Sequence, residues 1–173
     1  MVTRQKSAPT QTQTAASSRP RCRLLVIEAR FHDNIADELM KGAIAEMEAE
    51  GVKFDRVSVP GALEIPQVLA HAVSTGLIPA GAPSARFAGA IALGCVIRGE
   101  TIHYDIVCNN THHWLMEIAI RHNVPLGNAV LTVENEAQAL ARAKGGRNSK
   151  GADAVRACLQ VIDISRTFVG QGT

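Results

Sequence analysis

Apolar and polar positions along the chain fall into two alternating patterns. Leu24 to Ala29 (LLVIEA) is a short, mostly apolar run, suited to a strand buried on both faces. Behind it, Ile35, Ala36, Leu39, Met40, Ala43, Ile44 and Met47 recur at steps of three and four, which places them on one helix face. Asp33 or Asn34 is expected to cap that helix and Gly51 to end it. Phe54 to Val59 reads as a second strand, broken by Pro60-Gly61. A helix then starts near Glu64, with Ile65, Val68, Leu69, Ala72 and Val73 as its buried stripe and Gly76 as its stop. A Pro-, Gly-, Ala- and Ser-containing loop, Ile78 to Ala85, leads to a third, fully apolar strand, Gly89 to Ile97. Arg98 to Thr101 turns into a long helix that includes Trp114, Leu115, Ile118 and Ala119. Ala129 to Val133 reads as a fourth strand, Asn135 to Ala143 as a short helix, and Lys144 to Gly151 (KGGRNSKG) as a flexible link. Ala152 to Phe168 is a last helix with Val155, Leu159 and Ile162 on one side.

Strands alternating with helices indicate a three-layer α/β/α sandwich around a four-stranded parallel sheet, flavodoxin-like. Right-handed crossovers put helices on both faces, and ligands bind beyond the carboxyl ends of the strands. That rule selects Phe31 to Asn34, Pro60 to Glu64, Arg98 to His103, and Thr132 to Asn135. All four segments are rich in Gly, Pro and polar residues.

Composition narrows the function classes. The 173 residues suit one domain, with residues 21–173 folded and residues 1–20 (MVTRQKSAPTQTQTAASSRP) a disordered tail. The tail lacks a secretory apolar region, and its sparse arginines make a solvated tail a better reading than a transit peptide. Lys plus Arg is 18 against 16 for Asp plus Glu, a net charge of +2 that argues against a nucleic-acid binder. Aromatics are 3%, too few for a base-stacking platform. No apolar run is long enough to span a membrane. The four cysteines form no C-x-x-C pair, and a cytoplasmic location with reduced thiols is expected.

His103 is the sharpest candidate for chemistry. It follows a Gly-containing turn at a strand end, and an imidazole changes charge near neutral pH, which suits proton transfer. Its alternative is a helix-start histidine bonded only to backbone. His113 with Glu117 has the i, i+4 spacing of a metal pair, but no third ligand is evident, so His112, His113 and His122 read as solvated or interface residues and no metal is expected. His71 reads as structural, and the role of His32 is open. Glu64 reads either as a helix-dipole partner or as an acceptor for substrate hydroxyls. Gly99, Glu100 and Thr101 offer backbone N–H groups at a helix start, a phosphate seat, with Arg142 and then Lys150 as matching cations.

Two longer segments carry a resemblance. VPGALEIP (Val59 to Pro66) and GCVIRGETIHYD (Gly94 to Asp105) resemble the signature segments of the lumazine synthase family. LTVEN (Leu131 to Asn135), then Gln138, Arg142 and Lys150-Gly151, resembles the family's C-terminal pattern in the same order. The resemblance covers about residues 23–168. It implies a cofactor-independent condensation of 5-amino-6-ribitylaminouracil with 3,4-dihydroxy-2-butanone 4-phosphate, within riboflavin biosynthesis. It also implies a homo-oligomer built from pentamers, with sites between adjacent subunits. His103 then matches the proton donor and acceptor, and Phe31 the aromatic that stacks on the pyrimidine. Ala62, Leu63 and Glu64 match the ribityl-binding segment, and Cys95, Val96 and Ile97 the strand end that meets the pyrimidine. Glu100 and Thr101 match the phosphate loop, and Arg142 the phosphate-binding arginine; Asp153 lies where the family often has an acid near the histidine. Asn128 stands where many members have a Phe that reaches the neighbouring site. That departure keeps a second expectation in view, a flavin-binding, non-catalytic paralogue. A generic flavodoxin-like signalling domain fits less well, because the Phe31-His32-Asp33 loop has neither an acidic phospho-acceptor cluster nor a Ser/Thr-rich phosphate loop.

Overall fold

Four apolar segments pair side by side as parallel strands. The computed structural model describes residues 22–78 and 85–170, so the tail 1–20 and most of the Ile78 to Ala85 loop lie outside the described residues. The strands are β1 (Arg23–Ala29), β2 (Lys53–Val59), β3 (Gly89–Ile97) and β4 (Leu126–Val133), in the order β2-β1-β3-β4. Leu24 pairs with Phe54 on one side and Gly89 on the other, and Ala92 pairs with Asn128. The helices are α1 (Asp33–Ala49), α2 (Glu64–Ser74), α3 (His103–Arg121), α4 (Glu136–Ala143) and α5 (Lys150–Gly170).

Strand alternation splits the core into two layers. Leu24 and Val26 of β1 join Leu39, Ala139, Val155 and Leu159 under α1, α4 and α5. Leu25 and Ile27, the residues between and after them, join Ile65, Leu69 and Leu115 under α2 and α3. The result is the three-layer sandwich expected.

Three details differ from expectation. β4 begins at Leu126, three residues before Ala129, because Gly127 and exposed Asn128 interrupt the apolar pattern without interrupting the ladder. Gly127 is needed there, since a Cβ would run into the Ala154 carbonyl of α5. Second, neither Asp33 nor Asn34 caps α1. The N-cap is His32, whose carbonyl accepts from the Ile35 and Ala36 N–H groups, while Asp33 and Asn34 turn their side chains to Arg30 and Glu136.

Third, Lys144 to Gly151 is packed against α1. It forms a single 3₁₀ turn over residues 146–148, and α5 already starts at Lys150. Ser149 is buried against Gly42 of α1, Gly151 lies on the Leu39 backbone, and Arg147 pairs with buried Glu46 at 2.8 Å. Ser149 and Gly151 are small because α1 presses on them, whereas Gly145 and Gly146 turn the chain at positive φ, 108° and 55°. Arg156 completes that network, 2.7 Å from Glu46 and 2.7 Å from Asp153, which also holds Lys150 at 2.7 Å. These cations hold the Glu46 and Asp153 carboxyls below their ordinary pKa, the hydrogen bond from Arg147 contributing most at Glu46 and that from Lys150 most at Asp153.

Candidate active site

The chain leaves β1 toward β2 on one side and returns to place β3 on the other. The connections therefore diverge between β1 and β3 and open a crevice at their carboxyl ends. A cleft of about 480 Å³ occupies that crevice. Three of the four segments selected by sequence line it, and the Thr132 to Asn135 segment does not. That end of β4 is instead tied to Arg98 through Glu134.

Each wall follows from local structure. Phe31 projects from the β1–α1 loop, 75% exposed, with the His32 ring edge-on at 5.0 Å. The root of that loop is clamped by Arg30, which donates to Asp33 at 2.9 Å and Asp37 at 2.8 Å. Beneath it lies Glu28, fully buried, accepting from Arg56 at 2.7 Å and Ser58 at 2.6 Å. Pro60 and Gly61 end β2, and Ala62, Leu63 and Glu64 turn into α2, half-buried Glu64 standing on its first turn.

Cys95, Val96 and Ile97 form the floor at the end of β3. Burial pushes the Cys95 thiol up to about 11, so it is a neutral packing group and no nucleophile at physiological pH. Gly99 and Thr101 then lead to His103, the first residue of α3. The His103 N–H donates to the Thr101 hydroxyl at 3.3 Å, while its imidazole makes no hydrogen bond among the described residues and is exposed toward the cleft. A 19-residue helix starting here directs its positive end at the same opening.

The structure thus brings together Phe31, Ala62, Leu63, Glu64, Cys95, Val96, Ile97, Thr101 and His103. It does not bring in Glu100, Asn128 or Arg142. Glu100 is exposed outside the lining. Asn128 sits on edge strand β4, its side-chain oxygen accepting from the Val130 N–H at 2.9 Å. Arg142 lies along α4 and donates to the Gln138 carbonyl at 2.9 Å. Asp153 is occupied by Lys150 and Arg156.

Sequence reasoning missed Tyr104 and Val107, which also line the cleft. Tyr104 stood inside the quoted GCVIRGETIHYD segment, and a helix start that turns successive residues inward was the signal available. Of the other histidines, His32 lines the cleft beside Phe31, and His71, His112, His113 and His122 do not. His71 is exposed, the His112 ring lies 2.8 Å from the Cys108 carbonyl, and Glu117 pairs with Arg121 rather than His113.

Comparison with known proteins gives one consistent result. The family model described as 6,7-dimethyl-8-ribityllumazine synthase matches residues 21–166. A 6,7-dimethyl-8-ribityllumazine synthase of Methylobacterium radiotolerans is 48% identical over 168 residues, covering 97% of this chain and 95% of the relative. The 6,7-dimethyl-8-ribityllumazine synthase 1 of Rhodopseudomonas palustris is 46% identical, covering 93% and 94%. The enzyme of the same name from Methylorubrum populi is 49% identical over 144 residues, 83% of each chain.

Proposed function

Since the chain belongs to the 6,7-dimethyl-8-ribityllumazine synthase family, we propose a division of labour for the residues around its cleft. The reaction itself is the family's. The chain is a transferase that condenses 5-amino-6-ribitylaminouracil with 3,4-dihydroxy-2-butanone 4-phosphate to 6,7-dimethyl-8-ribityllumazine, releasing phosphate and water, in riboflavin biosynthesis. Nothing in the comparisons favours a non-catalytic flavin binder.

The observation that carries the assignment of roles is one cleft lined by an aromatic, a carboxylate, a helix start and an imidazole: Phe31, Glu64, Thr101 and His103. Phe31 stacks on the pyrimidine, whose edge meets the backbone of Cys95, Val96 and Ile97. Ala62, Leu63 and Glu64 receive the ribityl chain, Glu64 accepting its hydroxyls. Glu100, through its backbone, and Thr101 seat the phosphate at the start of α3, where the helix dipole favours an anion.

The amine attacks the ketone carbon, and loss of water gives an imine. His103 takes a proton from the carbon beside the imine as the phosphate ester bond breaks and phosphate leaves. The enol left behind takes a proton, returned by the same imidazole, on its terminal carbon to become a methyl ketone, which the second amine attacks to close the ring as water departs. Proton transfer of this kind supplies about 10²–10⁴ in rate, and holding two reactants together supplies the larger share.

Arg142 and Asn128 lie outside the chain's own cleft, on α4 and the outer strand, so their roles belong to a site completed by a neighbour. Exposed Ile102, Ile106, Trp114, Met116 and Ile120 leave α3 with apolar surface that a second copy would cover. We therefore read the chain as a subunit of a pentamer-based homo-oligomer. Residues 21–173 form one synthase unit acting in the cytoplasm; no helix among the described residues is long and apolar enough to cross a membrane. Mixing purified protein with both substrates raises lumazine absorbance above the blank, and His103→Ala slows it. A wild-type rate equal to the blank refutes the enzymatic reading. Native mass spectrometry tests the assembly, and a stable monomer with full activity refutes the shared site.

A further inference from the structure

Arg98 does not line the cleft, yet it holds together the segment that delivers His103. Its backbone N–H donates to the Val133 carbonyl at 2.9 Å, which extends the β3–β4 ladder by one residue. Its guanidinium stacks over the Tyr104 ring at 4.1 Å. The Nε lies 3.1 Å from Glu134 at the end of β4, and Nη1 lies 3.4 Å from Asp105. One side chain therefore joins the end of β3, the end of β4 and the first turn of α3. The loop it closes, residues 99–103, carries the phosphate seat and ends on His103.

That imidazole has no hydrogen-bond partner of its own among the described residues. Its position is set by the backbone of the first turn of α3, and Arg98 ties this turn to the sheet edge, beside a hydrogen bond between the Tyr104 and Thr132 side chains. We infer that Arg98 is a positioning residue for the reaction. It sets the angle at which α3 begins, and so the place of His103 and of the phosphate seat, through its plane against Tyr104 and its fork toward Asp105 and Glu134. A planar guanidinium is needed, because a lysine ammonium carries the charge but neither stacks nor spans two carboxylates.

The inference rests on the role given to His103, and the test separates the two. Arg98→Ala, Arg98→Lys, His103→Ala and the Arg98→Ala/His103→Ala double variant are compared in steady state, with melting temperature as the measure of folding. Displacement of a reacting group by about 1 Å costs up to about 10²-fold. Both Arg98 variants are expected to lose at least about tenfold in kcat, with KM for the ribitylaminouracil within about twofold, because its seats on β1, β2 and β3 are unchanged. In the His103→Ala background, Arg98→Ala is expected to cost clearly less than in the wild type, the remainder acting through the phosphate seat, as residues acting through one another are not additive. Wild-type kcat in Arg98→Lys shows that charge alone matters and overturns the inference. So does a purely additive double variant, or a loss confined to melting temperature. If His103→Ala itself keeps full activity, it is the assignment of His103 that fails.

Discussion

Gly89→Ala tests how closely α5 lies on the sheet. Gly89 opens β3, and its backbone is in no left-handed region, so conformation alone would accept alanine. Space does not. A Cβ there would stand 2.6 Å from the Cys158 sulfur, 2.8 Å from the Pro125 carbonyl oxygen and 3.2 Å from the Ile162 side chain. Ordinary separations are about 3.5–4 Å, so the sulfur must retreat by about 1 Å. Cys158 is fully buried and donates to Pro125 at 3.3 Å, with its thiol pushed up to about 12 by burial.

Overpacking of this kind costs about 1–3 kcal/mol, and the stiffer unfolded chain of alanine returns about 0.4–1. The net expectation is a loss of about 1–2 kcal/mol, or roughly 2–8 °C in Tm for a chain of this size. Cys158→Ala alone costs about 1–2 kcal/mol through lost burial and the cavity left behind. The Pro125 carbonyl stays satisfied, since it also accepts from the Ala90 N–H at 2.9 Å. Combined, the two changes should be less harmful than their sum by about 1 kcal/mol, because the new methyl enters the space the sulfur vacates. Urea denaturation at one fixed protomer concentration measures all four corners of the cycle. Strict additivity, or a Gly89→Ala variant as stable as the parent, refutes the close-contact argument.

His103→Ala is expected to slow lumazine formation by about 10²–10⁴ without loss of fold, read from initial rates and circular dichroism. Phe31→Ala removes an exposed ring, so it should leave Tm unchanged while raising KM for the pyrimidine substrate about 2–13-fold, the value of one aromatic contact at about 0.5–1.5 kcal/mol. Glu46 has a folded-state pKa below its ordinary 4.5, so its ion pairs stabilise above that value and are lost as pH falls through the lower one. Asp153, lowered from 3.8, acts in the same direction in the neighbouring acid range. Urea midpoints taken from about pH 7 down to about pH 3 should therefore fall with acid, and less steeply in Glu46→Gln. Equal slopes in the two proteins would refute the network's role.

The alternation of apolar runs determined the strands, the helices and the layer order, because burial on two faces leaves a run that one-dimensional reading detects. The glycines, prolines and polar residues at the strand ends located Phe31, Glu64 and His103 for the same reason. The chain turns there, and turn chemistry is local. What escaped was set by contact between distant segments. Lys144 to Gly151 read as slack because glycine and serine suit both a loose link and a tight approach, and only α1 against α5 decides which. Asp33 and Asn34 read as caps until Arg30 and Glu136, placed by the fold, drew their side chains away. Tyr104 and Arg98 gained meaning only once β3, β4 and α3 met at one corner. The placement of Asn128 and Arg142 outside the cleft is also a tertiary result, since a sequence gives residues their order and not the side of the sheet on which they finish.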